Sequence, residues 1–212
     1  MAIAFDNATT GTVTLPTTTV TYTHTAAGDN RCAVVGASYF DSPAPNPTCS
    51  YDSVSMTQEV RVNDAGVSQA ALFSLVAPGT GTNVDVTVAD CGVQGGVSSG
   101  CCTFTGVAQA DPTRATAAAS DLTVAVTSAA DDWCMDNYSH ALDGTPDASQ
   151  TERFSALQGG RYADSSTEIA TGASTTMSWT DGVANGTVAV SLIPAAAAPP
   201  IPAGTLMGQA FM

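Results

Sequence analysis

The sequence has 212 residues and a formal net charge of −14, from 19 acidic residues against five Lys+Arg. All five cations are arginines (Arg31, Arg61, Arg114, Arg153 and Arg161) scattered along the chain, so nucleic acid and anionic membrane surfaces are excluded as expected partners, because both need clustered Lys/Arg. With 44% hydrophobic and 11% charged residues the chain can bury a core, which argues against disorder.

Threonine and valine are abundant while Lys, Glu and Leu are scarce or missing, a composition that favours strands over helices. Val13 to Thr25 alternates after Pro16, and Gly28-Asp29-Asn30 marks a turn before Arg31 to Phe40, which reads as a buried strand. The prolines between Asp41 and Thr48 make a loop, and Val54 to Val62 alternates again. Gln69 to Val76 is a buried run, Val84 to Val88 a half-buried strand, and Cys101 to Val107 a further strand. Asp111 to Ser120 reads as a connector. Leu122 to Val126 and Trp133 to His140 are strands, and the pattern weakens from Leu142 to Glu168. Thr175 to Thr180 and Thr187 to Ile193 are joined by Asp181-Gly182 and Asn185-Gly186, a hairpin signal.

About ten strands at this spacing predict an all-β fold, a two-sheet antiparallel β-sandwich of jelly-roll type. The expected division is a sandwich over residues 1–193, followed by a Pro/Ala-rich linker and extended apolar C-terminal arm over 194–212. Pro194 to Ala203 favours polyproline II conformation. Ile201, Leu206, Met207, Phe211 and Met212 are the candidate partner-docking residues, because uncharged apolar side chains on a tail are costly unless covered.

Met1 to Asn7 has neither the basic segment nor the apolar run of a signal peptide, and no stretch approaches the roughly 18 apolar residues of a membrane span. The expectation is synthesis in a host cytoplasm and release in a particle. None of the six cysteines forms a C-x-x-C pair. Cys91 with Cys101 or Cys102 would close a short loop, and these three are the candidate disulfide residues; buried free thiols are the competing expectation.

The candidates for chemistry are few. His24 lies in an alternating strand and reads as structural, and His140 as a polar residue at an exposed strand end. There is no G-x-S-x-G elbow and no local signature of paired carboxylates, so no catalytic residue and no cofactor are assigned. Asp131, Asp132 and Asp136 flank Trp133 and offer hard oxygens to Ca²⁺, but their spacing fits a solvated acidic loop better. Ca²⁺ bridging acidic surfaces elsewhere stays open. Trp133, Trp179, Tyr39, Tyr51 and Tyr162 could stack on sugars, although Trp179 alternates with Met177 and reads as core.

Several segments together resemble a group of β-sandwich proteins found in tailed-phage genomes and in some bacterial surface proteins. They are Ile3-Ala4-Phe5-Asp6, Tyr22-Thr23-His24, and Gly28-Asp29-Asn30-Arg31 running into Val34-Val35-Gly36-Ala37-Ser38. Ser55-Met56-Thr57, Phe73 to Thr82, Phe104 to Gln109, Met177-Ser178-Trp179-Thr180 and Val188 to Ala195 continue the pattern. The resemblance implies a virion or cell-surface sandwich without catalysis. The resulting expectation is a capsid decoration protein of a tailed phage, homo-oligomeric, acting on the major capsid protein or other virion proteins. The alternatives are a tail-associated carbohydrate-binding adhesin and a self-assembling filament or surface-layer subunit.

Overall fold

The computed structural model of the chain describes residues 1–13, 18–40, 46–62, 69–92, 96–158, 160–180 and 186–197. The regular elements among them are all strands, and every pairing is antiparallel. Nine strands come from the first half of the chain: β1 (Ala4–Val13), β2 (Val20–His24), β3 (Cys32–Tyr39), β4 (Thr48–Tyr51), β5 (Val54–Ser55), β6 (Thr57–Arg61), β7 (Gln69–Val76), β8 (Val84–Ala89) and β9 (Val97–Thr105). They form a five-stranded sheet, β1-β9-β3-β7-β6, and a four-stranded sheet, β2-β8-β4-β5.

The second half supplies β10 (Thr113–Ala119), β11 (Thr123–Thr127), β12 (Trp133–His140), β13 (Thr145–Pro146), β14 (Thr151–Gln158), β15 (Arg161–Ile169), β16 (Ser174–Thr180) and β17 (Gly186–Leu192). Their sheets are β10-β17-β12-β15-β14 and β11-β16-β13. Renumbered from β10, this is the order of the first half without a counterpart of β5. Local geometry repeats too. Two residues ahead of the central strand the backbone is left-handed in both halves, at Asn30 (φ 50°) before β3 and at Asp131 (φ 72°) before β12.

Three clusters of buried side chains order the four sheets into a stack. The first joins β3, β7 and β9 to β2, β4 and β8 through Val35, Phe73, Cys101, Val20, Tyr51 and Val86, among others. The second joins the two five-stranded sheets, with Val34, Leu72, Cys102 and Phe104 against Met135, Phe154, Val188 and Leu192. The third lies between β12 and β17 and the outer strands β11 and β16, around Val124, Val126, Cys134 and Met177.

The inner sheets are therefore covered on both faces, and β3, β9 and β17 are buried along nearly their whole length. The outer strands β8 and β11 keep the buried–exposed alternation of a sheet with one wet face. Close approach of the inner sheets needs glycine: a Cβ at Gly100 would sit 2.6 Å from the Phe154 ring. Asn137 Nδ2 donates to the Ala37 carbonyl at 3.1 Å and Ser98 Oγ to the Arg161 carbonyl at 3.1 Å, tying the halves together.

Three expectations change. Seventeen described strands in four sheets replace about ten in two, because short Thr-, Ala- and Ser-rich strands carry little periodicity. The segment read as a connector is β10, whose Ala115, Ala117 and Ala119 pack on the third cluster. The expected 175–193 hairpin does not form: β16 pairs with β11 and β13, while β17 pairs with β10 and β12 in another sheet. Turn residues signal a reversal, not the sheet into which the chain returns.

Candidate functional site

A groove opens where the two halves and both ends of the described chain meet. The Met1 amino group donates to the Ala195 carbonyl at 2.5 Å, Ala195 N donates to the Gly106 carbonyl at 2.7 Å, and Val107 bridges Pro194. Around this junction a cavity of about 540 Å³ is lined mainly by Met1, Ile3, Trp133, Ile169, Pro194 and Ala196, and also by Asp131. Its wall is apolar and open to solvent, since Ile169 is 53% exposed and Met1 60%. Trp133 and Ile169 face each other as cross-strand partners at the start of β12 and the end of β15.

The same two residues wall a smaller hollow of about 260 Å³ with Ser149, Thr151, Arg153, Thr167 and Glu168. Trp133 is fixed edge-on to Phe104 at 5.7 Å, and the Arg153 guanidinium lies 4.2 Å over the Phe5 ring and 5.6 Å from the Trp133 ring. Arg153 Nε donates to Thr167 Oγ1 at 2.7 Å, and Ser149 Oγ to Glu168 Oε2 at 3.1 Å. Burial lowers the Arg153 pKa from its usual value. The groove thus has an apolar end at the chain junction and a polar end around Arg153.

The acidic residues beside Trp133 go to three places. Asp131 is exposed and lines the groove. Asp132 is fully buried, and its carboxylate accepts from Arg114 Nε and Nη2, the latter at 3.1 Å, from Ala129 N and from Ser191 Oγ. Burial pushes its pKa up, but those bonds outweigh burial and hold it below the ordinary carboxylate value. Asp136 is buried inside the second half, accepting from Trp179 Nε1 at 2.6 Å and from Ser166 N at 2.7 Å. Burial pushes its carboxyl up to about 7. The expected solvated loop is thus overturned at Asp132 and Asp136: Asp136 sits inside the covered strand β12, and Asp132, just ahead of it, is drawn in by Arg114, Ala129 N and Ser191.

His140 also departs from its expected exposure. It is fully buried, stacked between Tyr138 at 4.1 Å and Tyr162 at 5.2 Å, with Nε2 at 2.6 Å from Asp164 Oδ2. Solvent does not reach this pair, so the cluster reads as packing. His24 is structural as expected, hydrogen-bonded to Thr9 and Thr103 with its pKa lowered to about 4 by burial. Trp179 is core, as expected.

All six cysteines are buried free thiols in this structure. Cys91 and Cys101 share the first cluster, whereas Cys102 points to the opposite face of β9 and lies in the second. Burial raises Cys91 to about 12 and also pushes Cys101 and Cys102 up, which leaves them protonated at neutral pH. The arm residues Ile201, Leu206, Met207, Phe211 and Met212 lie outside the described residues; the start of the segment, Pro194 to Ala197, is described, and Pro194, Ala195 and Ala196 border the groove.

Sequence reasoning singled out Trp133 as a candidate contact but missed Ile169, Ile3 and Arg153. These residues are distant in sequence and meet only through the pairing of β12 with β15 and the docking of the halves. No protein-family model, curated protein or solved structure matches the chain.

Proposed function

We propose that this chain is a structural virion protein of a tailed phage, a capsid decoration protein whose acidic body stiffens the shell while its C-terminal arm bridges subunits. In this reading each half is a jelly-roll-type sandwich. The orders β1-β9-β3-β7 and β2-β8-β4-β5 set first and last strands side by side and split the others between two facing sheets, with β6 added at an edge. The observation that carries the function is the chain junction. A four-layer body anchors Pro194 and Ala195 beside an apolar groove, so the uncharged sequence that follows is attached at a fixed point of the body.

A body of net charge −14 stays soluble at high local density and repels nucleic acid, leaving the arm to make contacts. Weak contacts repeated over many copies give high avidity. Immunogold labelling of intact particles with antibody against the folded body tests the reading. Labelled heads, and loss of label when residues 198–212 are deleted, are the expected result; label confined to tails, or absent from particles, overturns it.

The polar end of the groove favours a second reading, a carbohydrate-binding adhesin, because Trp133 is flanked by Arg153, Glu168 and Ser149. Glycan-array binding abolished by Trp133→Ala would select it over decoration.

A further inference from the structure

We infer that the apolar groove formed by Met1, Ile3, Trp133, Ile169, Pro194 and Ala196 is the seat for the Leu206–Met212 segment of a second copy of this chain. The inference rests on the arm-bridging part of the reading above and names the arm's receptor. The groove's volume of about 540 Å³ takes several large side chains, and Ile169 leaves half of its surface in water where a partner would cover it. The arm supplies Leu206, Met207, Phe211 and Met212 with no charged side chain among residues 198–212. Two bodies of charge −14 repel each other, so an uncharged segment is the part of a neighbour that approaches at least electrostatic cost.

Chain length selects a second copy over the arm's own groove. Ala196 lines the groove, and the next seven residues, AAPPIPA, contain Pro199, Pro200 and Pro202. In polyproline II conformation, which this composition favours, seven residues at roughly 3.1 Å each span about 20 Å. Prolines disfavour the tight reversal that would return Leu206–Met212 to the groove beside Ala196, whereas an extended run has the reach to meet a second copy.

The test places a photo-crosslinking phenylalanine analogue at position 211 of the full chain and mixes it with isotopically heavy unmodified protein. Peptides joining light position 211 to heavy peptides that contain Ile3, Trp133 or Ile169 are expected. Crosslinks only within one light chain, crosslinks outside the groove, or no crosslink between copies would each overturn the inference. Ile169→Asp, at a half-exposed position at the end of β15, should weaken self-association about tenfold or more in analytical ultracentrifugation of protein whose circular dichroism matches the native chain; unchanged association would also overturn it. Particle labelling decides the virion reading separately, since a groove that takes the arm of a second copy is compatible with heads, tails or filaments.

Discussion

The central strands of the two halves, β3 and β12, are both eight residues long and occupy the same place in their sheets. Their even-numbered positions turn into the sandwich. In the first half these are Ala33, Val35, Ala37 and Tyr39, packed in an apolar cluster. In the second they are Cys134, Asp136, Tyr138 and His140, which meet Trp179, Ser166 and Asp164. The neighbouring strand follows suit: Phe73 stands opposite Val35, whereas Asp164 stands opposite Tyr138. One strand plan therefore tolerates an interior held by area burial and another in which each carboxylate has at least one oxygen hydrogen-bonded.

The harshest way to break the comparison is to put the second half's acid into the first. Val35→Asp buries a carboxyl among Phe73, Cys101 and Val86 with none of the donors that surround Asp136. A loss of more than about 4 kcal/mol is expected, measured by urea unfolding. A loss under about 1 kcal/mol would mean that the first interior is wetter or looser than its burial implies.

Acid and base should act on the halves in opposite senses. Burial raises the folded Asp136 pKa to about 7, so its contribution is complete below the unfolded value near 4. It is lost as pH rises to about 7, by up to about 4 kcal/mol, because the unfolded chain gives up a proton that the folded chain keeps. Burial lowers folded His24 to about 4, so its contribution is complete above about 6.5 and is lost as pH falls through 4. Unfolding midpoints taken from pH 4 to 8 for the native chain and for Asp136→Asn separate the two. The variant should lose the decline between pH 4 and 7 and keep the acid-side loss. Identical profiles would show that Asp136 does not titrate in that window.

The contact between the halves is the next target. A methyl group at Gly100 would meet the Phe154 ring at 2.6 Å, and a ring wedged between two sheets has little room to yield. Gly100→Ala should cost about 1–3 kcal/mol in thermal unfolding. Gly36→Ala would meet Asn137 at Oδ1, at Cγ (2.8 Å) and at Cβ (3.0 Å) and displace the amide that donates to the Ala37 carbonyl, so a cost in the same range of about 1–3 kcal/mol is expected. A loss under about 0.5 kcal/mol at either site would argue that the inner sheets move apart freely.

How much of this was legible in the sequence depended on burial. Arg31 to Phe40 and Gln69 to Val76 were readable as buried strands because both faces are covered, and Val84 to Val88 because one face is wet. The Thr- and Ala-rich β1 and β10 were not, since small side chains give no apolar contrast. The doubling of the fold was hidden for a different reason. Equivalent positions hold Val35 and Asp136, or Tyr39 and His140, so a repeat of backbone leaves no repeat of residue type. The groove was legible only at Trp133, because its other walls are assembled by pairing and docking.

The smallest expected effect sharpens the comparison at the sixth position of the central strand, which is Ala37 in the first half and Tyr138 in the second. The Tyr138 ring stacks on His140 at 4.1 Å and on Trp179 at 5.4 Å, but its buried hydroxyl has no hydrogen-bond partner among the described residues. Removing an unpaired buried hydroxyl while keeping the ring discards a desolvation penalty and leaves the packing intact. Tyr138→Phe should therefore be neutral or stabilising by up to about 1 kcal/mol in urea unfolding at pH 6. A destabilisation larger than about 1 kcal/mol would show that the hydroxyl is bonded, through a buried water, into the network around Asp164 and His140. The second interior would then be a continuous polar lattice rather than an aromatic stack with an acid at each end.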